Sequence, residues 1–252
     1  MNDLGRLEIL PGRDRAGNPE VFGPIVLDPG DRLAVVGPTG SGKSRLLADI
    51  EWAADGDTPS GRRILWDGQA LSADRRLDGP VGRVAQISQT MSFLMDLPVL
   101  EFLRLHSQAH GIEDPRAAEE AYEASQELSG EGFGPEVRLP SLSGGQSRAL
   151  MIADVAVLGR APVVLVDEIE NAGVDRDAAL ALLSGKGRIV LLATHDPLLA
   201  LSAPRRAVLG NGGIRAVQER SVAEEGLLLE LAGIHARSEE LRRRMRAGEG
   251  LA

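Results

Sequence analysis

Short apolar runs alternate along the chain with longer stretches in which apolar residues recur every three or four positions. The short runs are typical of strands buried on both faces, and they cover residues 33–36, 63–66, 81–87, 163–166 and 189–193. The periodic stretches predict helices at residues 44–54, 99–128, 147–158 and 177–183. Strands that alternate with helices predict an α/β fold with a mostly parallel sheet at its core.

The two ends of the chain depart from this alternation. Residues 4–10 and 21–27 have extended patterns on either side of a turn-like segment, which predicts an N-terminal antiparallel β segment with residues 4–10 as an edge strand. Near the other end, Gly210-Asn211-Gly212-Gly213 separates two short strands, an arrangement typical of a hairpin. The chain then continues as a C-terminal helix.

The order of the elements suggests one domain, residues 1–252, with a helical insert. The insert is indicated by a helical pattern that is broken only at Gly111 and Pro115. The expected division is a core at residues 1–88 and 142–217, the insert at residues 89–141, and a C-terminal helical extension at residues 218–252.

Composition narrows the classes of function. The net charge of −9 argues against a general nucleic-acid-binding protein, because such proteins present a basic face to the phosphate backbone. The absence of cysteine excludes disulfides and zinc–thiolate sites. The N-terminus lacks the layout of a secretory signal, and no apolar run approaches the ~20 residues that span a bilayer. We therefore expect a soluble cytoplasmic protein, which could work at a membrane only through a partner subunit.

The first candidate site follows the apolar strand at residues 33–36. The sequence Gly37-Pro38-Thr39-Gly40-Ser41-Gly42-Lys43-Ser44 fits the phosphate-loop pattern, and Arg45 follows it in a predicted helix. The glycines let backbone N–H groups turn toward phosphate oxygens, and the helix start adds partial positive charge. Lys43 can reach the outer phosphates, and the Ser44 hydroxyl can bind Mg²⁺. The loop therefore predicts a nucleotide-binding site.

Polar residues also end the other apolar strands. Asp167 and Glu168 follow the run at residues 163–166, and His195 follows the run at residues 189–193. Ligands of parallel sheets bind at the carboxyl ends of the strands, so these side chains are expected beside the phosphate loop. Gln89 follows the strand at residues 81–87 in the same way.

A second anion site is predicted at the start of the helix at residues 147–158. The preceding sequence is Leu142-Ser143-Gly144-Gly145-Gln146, in which Ser143 can serve as the N-cap. A serine hydroxyl and the exposed backbone amides of a helix start together favour a bound anion.

These motifs, in this order, resemble the nucleotide-binding subunit of an ATP-binding cassette (ABC) protein over roughly residues 4–217. The resemblance implies a P-loop NTPase fold, with ATP and Mg²⁺ as cofactors and ATP hydrolysis as the activity. It implies that Ser44, Asp167 and Gln89 hold Mg²⁺ and that Glu168 polarises the attacking water. It also implies that Gln89 and His195 sense the γ-phosphate, with Gln86 as a weaker alternative to Gln89.

The same resemblance implies a head-to-tail dimer with two ATP molecules between the subunits. Ser143, Gly144, Gly145 and Gln146 match the signature sequence, which in this family faces the γ-phosphate bound by the other subunit. The partner is then a second copy or a homologous ABC subunit. The helical insert and the apolar run at residues 91–97 favour an integral membrane subunit as a further partner; the alternative is a soluble client protein, and nucleic acid is not expected.

Two departures from the family pattern stand out. The aspartate of the D-loop is expected at Asp175, but the segment after Glu168 is one residue longer than usual, so Val174 or Asn171 could take that place. The aromatic residue that stacks on adenine is also missing near the N-terminus. Arg13 or Arg15 could stack on the base instead.

Three weaker features remain. His106 and His110 lie four residues apart on a predicted helix and could bind zinc, but no third ligand is evident and packing is favoured. The run at residues 91–97 predicts either a docking groove or the core of the insert. The arginines at residues 242–246 predict a solvated helix end.

Overall fold

The computed structural model describes residues 5–72, 74, 76, 83–88, 91–168 and 173–250. Its strands are β1 (Leu7–Leu10), β2 (Ile25–Leu27), β3 (Arg32–Val36), β4 (Arg63–Trp66), β5 (Val84–Ile87), β6 (Val163–Asp167), β7 (Ile189–Thr194), β8 (Arg205–Gly210) and β9 (Gly213–Glu219). Its helices are α1 (Lys43–Glu51), α2 (Val99–Ala109), α3 (Ala117–Leu128), α4 (Gly144–Ala153), α5 (Arg176–Leu183), α6 (Pro197–Ser202) and α7 (Val222–Arg246).

The larger sheet has six strands in the order β5-β6-β7-β3-β8-β9. The first five strands are parallel, and β9 pairs antiparallel with β8. The central strands β6 and β7 are buried on both faces because helices cover the sheet on each side. The expected mostly parallel core and the terminal hairpin are confirmed.

The smaller sheet is antiparallel and has the strand order β2-β1-β4. Leu7 pairs with Leu27 on one side and with Trp66 on the other, so β1 is the middle strand. The prediction that residues 4–10 form an edge strand was therefore wrong. The reason is that β4, which follows α1 in the chain, returns to pair with β1, and no local pattern reveals such a distant pairing.

Helix α1 lies between the two sheets, and its apolar side chains join them into one core. Leu46, Leu47 and Ile50 are buried together with residues of both sheets. The helices α2 and α3 have a separate core, which also includes Leu139 and Leu150. Since Leu150 belongs to α4, the insert packs directly on the helix that carries the signature sequence.

A charged cluster is buried where α1, the smaller sheet and the β8–β9 turn meet. The Arg62 side chain is fully buried and pairs with Glu20 and with Asp49, the latter at 2.9 Å. Glu20 also accepts hydrogen bonds from the backbone N–H groups of Gly12 and Ile214. The cluster therefore fixes the N-terminal loop against the element that carries the phosphate loop.

Replacing Arg62 by Met should lower the free energy of unfolding by ~3–5 kcal/mol, because two carboxylates would stay buried without their cation. Arg63 is the matched control: it pairs with Asp55 at 2.8 Å, but its side chain is 53% exposed. Arg63→Met should cost at most about 1 kcal/mol. Urea unfolding of both variants measures the difference, and equal losses would contradict this account of the cluster.

The sequence left two features of the insert open: the role of His106 and the role of the apolar run at residues 91–97. His106 Nδ1 lies 2.6 Å from Asp154 Oδ1, and this hydrogen bond raises the pKa of His106. The pair thus links α2 to the residue that follows α4. In the run at residues 91–97, Phe93 packs on the core of the insert, whereas Leu94 is 95% exposed, so the run is part core and part surface.

No helix in the described part of the chain is both long enough and apolar enough to cross a bilayer.

Candidate functional site

The phosphate loop runs from the end of β3 into α1. Gly37 has a φ of +155°, and a Cβ there would lie 2.6 Å from the carbonyl oxygen of Leu209. Gly42, directly before α1, has a φ of +108°, and a Cβ there would lie 2.9 Å from Gly212 Cα. Both positions require glycine because a side chain would be strained and would collide with the β8–β9 hairpin.

The β8–β9 turn is hydrogen-bonded both to the phosphate loop and to the N-terminal loop that carries Arg15. The N–H of Gly212 donates to the carbonyl oxygen of Ser41 at 2.8 Å, and the N–H of Arg15 donates to the carbonyl oxygen of Asn211 at the same distance. Inside the loop, Lys43 Nζ donates to the carbonyl oxygen of Gly37 at 2.8 Å. The loop is thus shaped by backbone contacts, and the Lys43 ammonium lies within it.

One pocket of about 510 Å³ contains most of the predicted phosphate-loop residues and the two acids of β6. Its lining residues are Arg15, Thr39, Gly40, Gly42, Lys43, Ser44, Arg45, Ala48, Asp167 and Glu168. The lining therefore combines three cationic side chains and the glycine-rich loop with two carboxylates. Such a site can hold a phosphate chain and present a carboxylate to it.

Glu168 has an unusual backbone conformation at the end of β6. Its φ is +55°, a left-handed value that is uncommon for a residue with a side chain. Its N–H donates to the carbonyl oxygen of Ala193 in β7 at 3.0 Å, which holds this conformation. Strained positions of this kind cluster at functional sites, so the geometry supports the selection of Glu168 from the sequence.

His195 does not line the pocket that contains Asp167 and Glu168. It follows β7 and lines a second cavity of about 490 Å³ together with Gly37 and Pro38. The sheet thus places His195 beside the loop, as the register of parallel strands predicts.

Gln89 and Asn171 lie outside the described residues, so their assignments stay predictions. Gln86, the alternative to Gln89, lies within β5 and pairs in register with Leu165. It is therefore inside the sheet rather than at the strand end where the site lies.

The signature sequence forms the start of α4. The Ser143 hydroxyl accepts from the Gln146 N–H at 3.3 Å, and the Gln146 side chain accepts from the Ser143 N–H at 2.9 Å. This capping box is a local role for Gln146 that the sequence analysis missed, although Ser-x-x-Gln before an apolar run is its known signal. Ser143 and Gly144 are exposed, and neither lines the pocket at the phosphate loop of the same chain.

Asp175 is the N-cap of α5, where its side chain accepts from the Ala178 N–H at 3.0 Å. Val174 instead pairs with Ser129 in an isolated bridge. A Cβ on Gly173 would lie 3.7 Å from Gly145, so the segment before Asp175 touches the start of α4.

Of the two arginines considered for the base, only Arg15 reaches the site. Arg15 Nη2 donates to the carbonyl oxygen of Gly40 at 3.0 Å, whereas Arg13 donates to Gly17 within its own loop. Phe22 packs against the core between the sheets. The sequence could not separate Arg13 from Arg15, because the turn that orients them depends on the distant β8–β9 hairpin.

Comparison with known proteins agrees with this arrangement. The sequence model of the ABC transporter family matches residues 25–171, more than half of the chain. The chain belongs to the ABC transporter family. This ABC protein is therefore an ATP-binding subunit and an ATPase, and its P-loop NTPase fold is the one expected from the motifs.

Similar proteins cover most of this ABC protein. An uncharacterized ABC transporter ATP-binding protein of Methanocaldococcus jannaschii is 43% identical over 249 residues, which cover 99% of this chain and 95% of that protein. The phosphonates import ATP-binding protein of Stutzerimonas stutzeri is 30% identical over 232 residues, covering 84% and 83%. The solved dimeric structure of a post-hydrolysis ATP-binding cassette bound to ADP and Pi shares the fold, with a TM-score of 0.61, 20% identity and coverage of 85% and 99%.

Proposed function

We propose that the protein hydrolyses Mg-ATP at the interface of a head-to-tail dimer and energises a membrane transporter. The observation that carries the proposal is the division of the site. The phosphate loop, Asp167 and Glu168 line one pocket, whereas the signature at the start of α4 is exposed and lies outside that pocket. A second copy can then supply the missing anion-binding groups.

The phosphate loop holds the nucleotide and the metal ion in this proposal. The backbone N–H groups at residues 39–45, which include the start of α1, hold the phosphate oxygens, and Lys43 neutralises the outer phosphates. Ser44 and Asp167 line the same pocket and offer oxygen ligands, the type that Mg²⁺ prefers; Gln89 is proposed as the third ligand. The bound ion would neutralise charge on the phosphates.

Hydrolysis also needs a group that orients the water. Glu168 is proposed for this role, because it has a strained backbone conformation at the end of β6 and lines the same pocket as the phosphate loop. His195 and Gln89 are proposed to respond to the γ-phosphate. The domain division given by the sequence belongs to the same proposal, because Gln89 would connect the core to the insert.

The signature of the partner subunit is proposed to complete the site. In α4 the capping box uses the N–H of Gln146, which leaves the Ser143 O–H and the N–H groups of Gly144 and Gly145 at the helix start to meet an anion. The dimeric cassette with the same fold supports this arrangement.

A membrane subunit is the proposed further partner, which would hold this chain at the cytoplasmic face of the membrane. The importer relative from Stutzerimonas stutzeri supports transport, and the exposed side chains of Met91, Leu94 and Met95, at the start of the insert, are the proposed docking surface. A soluble client is the second candidate. The longer segment before Asp175 and the missing adenine aromatic favour it.

Affinity capture from detergent-solubilised membranes distinguishes these candidates. We expect the tagged protein to retain a multispanning membrane protein, and we expect Leu94→Glu to lose that protein while its ATPase rate stays at the wild-type level. Leu105→Glu is the matched control, because Leu105 is an exposed leucine of α2 outside the proposed surface. Capture of a soluble enzyme, independent of Leu94, would contradict the transporter role.

A further inference from the structure

The C-terminal helix α7 reaches two segments that lead into the site. Arg176, the first residue of α5, directly follows Asp175, and Asp196, the N-cap of α6, directly follows His195. Arg176 Nη1 donates to Asp196 Oδ2 at 2.8 Å. Arg176 Nη2 lies 3.3 Å from Nδ1 of His235 in the middle of α7. One guanidinium thus joins the starts of two helices to the C-terminal extension.

The ion pair between Arg176 and Asp196 is largely buried. The side chains of Arg176 and Asp196 are 15% and 25% exposed. Asp196 Oδ1 accepts from the N–H groups of Leu198 and Leu199, so its other oxygen is left for Arg176. Burial alone would raise the pKa of Asp196, but these amides and Arg176 outweigh it and hold that pKa below its usual value.

The role of His235 follows from the chemistry of its neighbour. A guanidinium only donates hydrogen bonds, so Nδ1 of His235 must be the acceptor and carries no proton in this contact. The start of α7 is also held in place by side-chain contacts. Arg206 and the Ser221 N–H bind Glu224 and lower its pKa to about 2, and Arg220 Nη1 donates to the carbonyl oxygen of Leu201 at 2.8 Å.

We propose that His235 and Arg176 are positioning residues, through which α7 sets the spacing between the segments that carry Asp175 and His195. This inference rests on the proposed function, in which those two residues act at the dimer interface and at the γ-phosphate. None of the three side chains in the contact lines the pocket at the phosphate loop. Loss of the contact should therefore slow turnover and leave ATP binding unchanged.

Steady-state kinetics of three variants of the full-length chain test this. His235→Ala should lower kcat about threefold to tenfold with KM within about twofold of the wild type, since a single hydrogen bond of a partly exposed side chain is lost. His235→Asn offers a carbonyl oxygen in place of Nδ1 and should recover most of kcat. Arg237→Ala, a control at an exposed position of the same helix, should match the wild type.

The results of these assays distinguish the positioning role of His235 and Arg176 from the proposed mechanism of ATP hydrolysis. Wild-type kcat in His235→Ala, or an equal loss in His235→Ala and His235→Asn, overturns the positioning role. Glu168→Gln in the same assay reports on the ATPase proposal alone. If His235→Ala does not fold, Arg176→Lys provides the test. Lysine keeps the positive charge beside Asp196, but it lacks the planar guanidinium that donates to Asp196 and His235 at once. We therefore expect kcat to fall with KM unchanged. Wild-type kcat in Arg176→Lys would equally overturn the proposal.

Discussion

Glu168→Gln should reduce steady-state ATP hydrolysis by at least about 100-fold, because a positioned general base contributes ~10²–10⁴-fold to a rate. The amide has nearly the same shape as the carboxylate but cannot take up the proton of the attacking water. ATP should still bind, because the phosphate loop is unchanged. The trapped ATP should then hold the subunits together, so dimers should accumulate on addition of Mg-ATP. Phosphate release and light scattering measure the two effects.

A second carboxylate serves as the control for this variant. Glu131 is exposed, lies in the loop before the signature and does not line the pocket. Glu131→Gln should hydrolyse ATP at the wild-type rate. If Glu168→Gln also keeps the wild-type rate, Glu168 is not the catalytic carboxylate.

Lys43→Ala should weaken ATP binding by about 10-fold to 100-fold, because hydrogen bonds to a charged group are worth ~1.5–3 kcal/mol. Lys43 is only 9% exposed, so bulk water has little access to the position of its ammonium group in the loop. Removing it takes away the cation that the proposed mechanism assigns to the outer phosphates. Isothermal titration calorimetry with ATP, in the presence of magnesium, gives the affinity directly.

The only other lysine of the chain gives a matched control for that measurement. Lys186 donates to the carbonyl oxygen of Val157 at 2.8 Å and does not line the pocket at the phosphate loop. Lys186→Ala should bind ATP as the wild type does. Equal losses in the two variants would mean that overall charge, not the phosphate loop, governs affinity.

The sequence predicts the parts of the site that depend on chain direction. In a parallel sheet every carboxyl end lies on one edge, so Asp167, Glu168 and His195 could be assigned to that edge from apolar runs alone. The phosphate loop is equally local, since Gly37 and Gly42 mark its two sharp turns. The structure places all of these residues around the loop as the pattern indicates.

The remaining parts depend on distant pairings that no local pattern shows. The middle position of β1 needs β4, and the choice of Arg15 over Arg13 needs the β8–β9 turn. Arg62 and Arg63 are neighbours of the same type, yet one is fully buried and the other exposed, because only Arg62 meets Glu20 and Asp49. Residue type and periodicity carry no information on such partners.

The contact among Arg176, Asp196 and His235 is a further distant pairing that no local sequence pattern reveals. The sequence places Asp175 and His195 near the nucleotide, but it gives no reason to look at the residue after each. The sequence predicts a helical extension at residues 218–252, but its pattern does not show which residues that helix contacts. The structure connects that extension to the site through Arg176, which lies 20 residues from Asp196 and 59 residues from His235 in the chain, beyond the reach of any helical pattern.

The central claim is that the signature of one copy completes the phosphate loop of the other. Mixing two inactive variants tests it most directly. Lys43→Ala disables the phosphate loop. Gly144→Asp places a carboxylate at the start of α4, where an added Cβ meets nothing within 4 Å and an acid suits the helix start, so the fold should persist while the anion site is lost.

Each variant alone should be inactive, because both of its sites are damaged. In a mixed dimer one site has an intact loop from the Gly144→Asp copy and an intact signature from the Lys43→Ala copy. An equimolar mixture should therefore recover about a quarter of the wild-type ATPase rate, since half of the dimers are mixed and each has one good site of two. A mixture that stays as inactive as its components would contradict the claim.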